Sequence, residues 1–95
     1  MKLRYTVRGA AELDKALSAI ARQSPVGARS VQARIQATIN LLLQHPKAGR
    51  VTSNGRMRRI VATPHPYLIF YSTINGEVII HGVRHGARNL SSLPA

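Results

Sequence analysis

Cysteine is absent from the 95 residues, so no disulfide can support the fold and a reducing compartment suits it. Acid is almost absent as well. Glu12, Asp14 and Glu77 are the only carboxylate side chains, against fourteen lysines and arginines. Two acids at one helix start and a third in a turn exclude paired-carboxylate catalysis. The same shortage weighs against a metal: His81 and His85 are expected on one side of a strand, but no second ligand pair and no cysteine completes a zinc site. Neither a metal nor any other cofactor is expected. Apolar runs such as Leu41-Leu42-Leu43 are far too short to cross a bilayer, which excludes a spanning helix. The stretch Met1-Lys2-Leu3-Arg4-Tyr5 has charge but no apolar run behind it, so a secretory leader is not expected. Gly82 and Gly86 follow a strand with no helix after them, unlike a phosphate-cradling loop. These absences together predict a cytoplasmic protein with no membrane association.

What is present in excess is positive charge. The balance is +11 with histidines neutral, and every cation except Lys2, Lys15 and Lys47 is an arginine. Arginine is a planar, permanently charged fork suited to phosphate and carboxylate groups. A surplus of this size repels itself, so the chain calls for an anionic counterpart. Nucleic acid, a nucleic-acid enzyme and an acidic protein all qualify.

The pattern along the chain predicts one domain over residues 1–95. Residues 2–7 alternate, with Leu3, Tyr5 and Val7 on one side, as in a half-buried strand ended by Gly9. Leu13, Ala16, Leu17, Ile20 and Ala21 then share a helical face, predicting a helix over about 11–23 with Glu12 and Asp14 in its first turn. Ser24-Pro25 offers an N-cap followed by a proline at the first helical position. Ala28, Val31, Ile35, Ile39 and Leu42 continue as a stripe until His45-Pro46 stops the second helix. Lys47 to Gly55 reads as a loop. Strand-like runs follow at about 57–63, 67–74 and 77–84, the last two joined by Asn75-Gly76, a strong hairpin signal. The fold class is α+β, in the order β-α-α-β-β-β, with a helical hairpin on a small, mostly antiparallel sheet. A two-residue turn would oppose Ile74 to Glu77, Tyr71 to Ile80, Phe70 to His81 and Tyr67 to Arg84. Both faces of that hairpin would be apolar: Leu68, Phe70, Ile79 and Val83 on one, Ile69, Tyr71, Val78 and Ile80 on the other. The helices can cover one face; the other is expected either to await a partner or to be closed by sheet twist.

Several motifs resemble the RelE/ParE toxin superfamily. Ser24-Pro25 opens the second helix, and His45-Pro46-Lys47-Ala48-Gly49-Arg50 resembles its "P-x-x-G-R" helix ending. His65-Pro66-Tyr67-Leu68-Ile69-Phe70-Tyr71 is similar to its "PY-apolar-apolar-x-Y" strand. Val83-Arg84-His85-Gly86-Ala87-Arg88 resembles the "V-x-H-G-A-R" ending of the ParE-like branch. The likeness spans nearly the whole chain, in the right order. It implies the toxin of a bacterial type II toxin–antitoxin pair. ParE-like members block DNA gyrase; RelE-like members are ribosome-dependent messenger-RNA endonucleases. The RelE-like set includes an arginine where Leu68 stands and a tyrosine beyond the terminal arginine. Here nothing after Arg88 is aromatic, although Arg88 matches the terminal arginine and Arg59 can replace a strand lysine.

The resemblance therefore favours a gyrase-binding inhibitor without catalysis of its own, neutralised by an acidic, ParD-like antitoxin. Its expected contact residues are Arg56, Arg58, Arg59, Tyr67, Arg84, His85 and Arg88. The rival is an endoribonuclease acting on message at the ribosome, with Arg59, His85 and Arg88 as its catalytic set. RNA cleavage needs a base, an acid and cations around the phosphorane. His65, His81, His85, Tyr67 and Tyr71 are the candidate proton carriers. A plain nucleic-acid-binding module is a third reading, for which no recognised reading motif is present. The bland alternatives stay open: a solvated strand face for Arg56, Arg58 and Arg59, and core packing for Tyr67 and Phe70.

Overall fold

The computed structural model describes residues 1–86. In chain order the elements are β1 (Lys2–Tyr5), α1 (Val7–Gln23), α2 (Pro25–Gln44), β2 (Arg50–Val51), β3 (Arg58–Val61), β4 (Tyr67–Ile74) and β5 (Glu77–His85). The strands form one sheet in the order β1-β5-β4-β3-β2, antiparallel except for the parallel β1–β5 pair. The α+β class and the helical hairpin on a mostly antiparallel sheet agree with the sequence reading. One strand is additional: β2 is two residues long and lies within what reads as a loop.

Local chemistry explains α2 well. Ser24 caps it, its hydroxyl accepting from the Gly27 N–H at 2.9 Å, and Pro25 occupies the first turn. At the other end the His45 N–H donates to the Leu41 carbonyl at 2.7 Å before Pro46 stops the helix. Val31, Ile35, Ile39 and Leu42 enter the core with Ile69, Tyr71, Val78, Ile80 and Val83 from the sheet. Each large side chain so buried contributes about 1.5–3 kcal/mol of transfer free energy.

The first helix begins earlier than the sequence suggests. Thr6 is its N-cap, accepting from the Gly9 N–H at 2.9 Å, and no acid lies in the first turn. The strand stops at Tyr5, and Val7, expected inside, is 90% exposed. Gly9 is a packing residue rather than a break: a Cβ there would stand 2.3 Å from the Ile80 carbonyl oxygen, so only glycine lets α1 approach β5 this closely.

The hairpin turn is as expected, with Asn75 at φ 51° and Gly76 at φ 75° and Ile74 opposite Glu77. Its register then changes. Tyr71 faces Ile80 but Phe70 faces Gly82, so β5 carries an extra residue and Tyr67 ends opposite His85, not Arg84. The bulge turns Val83 into the helix-covered core, correcting its expected place beside Leu68 and Phe70. Leu68, Phe70 and Ile79 are themselves buried, so the bare second apolar face is not found. Among the described residues no helix is long and apolar enough to cross a membrane.

Candidate partner-binding surface

The bulge also decides where the candidate side chains go. His81 and His85, expected on one side of β5, line different cavities. His85 stands edge-on to Tyr67, ring centroids 5.3 Å apart at 83°. With Arg84 and Val83 they form one wall of a cavity of about 620 Å³, whose other wall is α1 through Glu12, Lys15, Ala16 and Ile20. Tyr67, Arg84 and His85 are thus brought together. Arg88, their expected companion, lies outside the described residues.

Glu12 organises this corner. Beyond Tyr5 the β1 strand no longer covers the edge of β5, and the Val83 N–H would lack a strand partner there. The Glu12 carboxylate accepts that N–H at 3.0 Å and also holds Arg84 at 3.3 Å and Arg8 at 3.0 Å. Arg84 is therefore engaged by an acid of its own chain. Sequence reasoning placed Glu12 at the helix dipole and missed this role. The i,i+4 spacing from Arg8 signals only the Arg8–Glu12 pair, not the contacts to Val83 and Arg84.

Arg59 lies elsewhere, in a cavity of about 570 Å³ with Gly49, Arg50, Val61, Leu68 and Gly86. Its strand neighbour across the β2–β3 pair is Arg50, so two like charges face one another. Arg58 has an internal function. Its guanidinium donates to the Gly49 carbonyl at 2.8 Å and the Lys47 carbonyl at 3.3 Å, tying the chain after α2 to β3. Tyr71 completes that joint: its hydroxyl donates to the Pro46 carbonyl and accepts from the Gly49 N–H, both at 2.8 Å. Burial raises the Tyr71 pKa above its ordinary value, against the opposing pull of the Gly49 N–H and Arg58, so it remains a neutral phenol. Gly49 has no room for a side chain, since a Cβ would meet the Tyr71 hydroxyl at 2.6 Å. Arg56 is exposed in the turn before β3.

The six expected contact residues that are described do not make one site. Tyr67, Arg84 and His85 share one cavity, Arg59 lines a second, and Arg56 and Arg58 lie at a third with Arg4, Ser72 and His81. Among the described residues no three acids or histidines come together to hold a metal.

Comparison with known proteins gives this arrangement a family. The family model for the ParE toxin of type II toxin-antitoxin system, parDE, matches residues 3–90. The chain belongs to the ParE toxin family. It is similar to Toxin RelE2 of Caulobacter vibrioides, 32% identical over 84 residues that cover 88% of this chain and 93% of that protein. In three dimensions it is similar to a solved structure of the chromosomal ParDE TA system from P. aeruginosa, with a TM-score of 0.77 and 20% identity, covering 90% of this chain and 95% of that one. At that identity the likeness is one of fold. This ParE-family toxin is thus a member of the RelE/ParE superfamily that its motifs resemble, in a branch whose model spans β1 through the end of β5.

Proposed function

We propose that this ParE-family toxin inhibits DNA gyrase by binding it and that an acidic ParD-like antitoxin neutralises the toxin. The supporting observation is the separation of two of the candidate nuclease groups, Arg59 and His85. Cleavage of RNA at a 2′-hydroxyl needs a base, an acid and cations around one phosphate. Arg59 and His85 line different cavities. His85 stands edge-on to Tyr67, and Arg84 is paired with Glu12. Such an arrangement suits recognition over several patches better than acid–base chemistry at one point.

Charge supports the antitoxin half. A +11 surface accelerates encounter with an anionic chain and favours its hold on exposed guanidinium groups. Arg56, Arg59, Tyr67, His85 and Arg88 are the residues we assign to target or antitoxin contact. Arg58 and Arg84 line separate cavities and act through the carbonyls and the carboxylate that they hold. A cytoplasmic location follows from such a target.

Supercoiling of relaxed plasmid by purified gyrase tests the proposal. Added toxin is expected to stop it in a dose-dependent way, and equimolar acidic antitoxin to restore it. Normal supercoiling at saturating toxin, together with ribosome-stimulated cleavage of message that is lost in Arg59→Ala or His85→Ala, would overturn the proposal in favour of an endoribonuclease acting on ribosome-bound mRNA.

A further inference from the structure

A third cavity, of about 630 Å³, shares no lining residue with the other two. It lies at the turn end of the β4–β5 hairpin and is lined by Arg4 of β1, Gly55 and Arg56 of the turn before β3, Arg58 of β3, Ser72, Thr73 and Ile74 of β4, and Ile79 and His81 of β5. Four separate segments thus bring cations or hydrogen-bonding groups to one space, and no acid lines it.

On its wall Ser72 and His81 are joined, Oγ to Nε2, at 2.7 Å. That contact links neighbouring strands: Ser72 is opposite Ile79, and His81, two residues further along β5, lies on the same side, whereas beyond the bulge His85 turns to Tyr67. Burial, and secondarily the Arg4 charge, hold the His81 pKa below its ordinary value, so the ring is neutral at pH 7 and leaves the positive charge to the arginines. Arg4 spends only Nε on its ion pair with Glu77, at 3.1 Å. Arg56 engages Asn54 through its backbone N–H, and its side chain is exposed.

We propose that this cavity is a binding site for a phosphate group, held by Arg4, Arg56, Ser72 and His81. The donors converge from different directions, which matches a tetrahedral oxyanion; a planar carboxylate is met by a single guanidinium fork. The space exceeds one phosphate, and Ile74 and Ile79 offer apolar contact to whatever the phosphate carries, as a nucleoside would require. The ligand class is therefore a phosphate ester, either a free nucleotide or a nucleic-acid end or backbone. Glu77 is the site's internal competitor, since it draws Arg4 away.

Carbon-13 NMR of the histidine rings in the full chain provides the test, with inorganic phosphate, adenosine monophosphate and a thymidine dinucleotide containing only an internal diester titrated at constant ionic strength. His81 is expected to shift saturably while His85 stays still, with adenosine monophosphate binding more tightly than inorganic phosphate. A preference for the monoester identifies a nucleotide or a strand end, and equal binding of the diester identifies the backbone; both support the site. Ser72→Ala is expected to weaken binding at least about tenfold, the usual worth of one charge-assisted hydrogen bond. Glu77→Gln is expected to tighten it, an effect opposite in sign to simple structural damage. The proposal is overturned by no saturable shift of His81, by equal movement of His81 and His85, or by weaker binding in Glu77→Gln. Failure here leaves gyrase inhibition untouched, because the supercoiling assay uses neither variant.

Discussion

Arg84 and Arg56 stand at opposite ends of the sheet and use the same group differently. The Arg84 side chain is only 16% exposed and is held by Glu12, which also satisfies the edge N–H of Val83. The Arg56 side chain is exposed and, among the described residues, its guanidinium has no acceptor within the chain. Arg58, two residues later, sides with Arg84, since its Nη1 is held by the Gly49 and Lys47 carbonyls. Positive charge in this protein is therefore of two kinds. Part of it closes joints of the fold, and part is presented outward. The count of +11 does not distinguish them; only acceptors do.

The sharpest way to break that division is Glu12→Ala. It strands the Val83 N–H and leaves Arg84 partly buried without its carboxylate, a loss of about 2–4 kcal/mol. Urea denaturation would read it, and an unchanged midpoint would return Arg84 to the presented class. Tyr71→Phe comes next. It removes one hydroxyl that serves a buried N–H and a carbonyl at once, expected to cost about 1–3 kcal/mol in the same assay. Arg58→Ala should cost about 1–2 kcal/mol, less because water can reach the freed carbonyls. By contrast Arg56→Ala should stay within about 0.5 kcal/mol of the parent, as surface changes do.

Acid adds a smaller effect. The folded state holds the His81 pKa below the 6.5 of the free group, so unfolding takes up protons as pH falls. The corresponding stability is fully present above about pH 6.5 and is lost as pH falls from there through the lowered folded value. Melting temperature between pH 7 and 5 should therefore fall less in His81→Gln than in the parent; equal slopes would remove His81 from the account.

Legibility from sequence followed the range of the interaction responsible. The limits of α2 were readable because Ser24, Pro25, His45 and Pro46 act within a few residues, and so was the Asn75-Gly76 turn. The start of α1 was not, because Gly9 looks like a breaker until Ile80, far along the chain, is seen against it. The bulge had a faint signal in Gly82, a glycine inside a strand, but its consequence for His81 and His85 needed the pairing partner. Strand β2 is two residues on a sheet edge and exists only through its pairing to β3. At the candidate surface the sequence supplied the right residue types and grouped Arg84 with His85. It could not separate Arg59 from them or foresee Glu12, whose partner Val83 is 71 residues away.

Because outward cations are held to act on a partner and inward ones on the fold, Arg56→Ala/Arg59→Ala provides the most direct test. Its gyrase inhibition should be measured beside its melting curve. The account expects a parental melting temperature with supercoiling inhibition weakened at least about tenfold, and with a shallower dependence on salt. Full inhibitory potency in that double variant, with the fold intact, would contradict it.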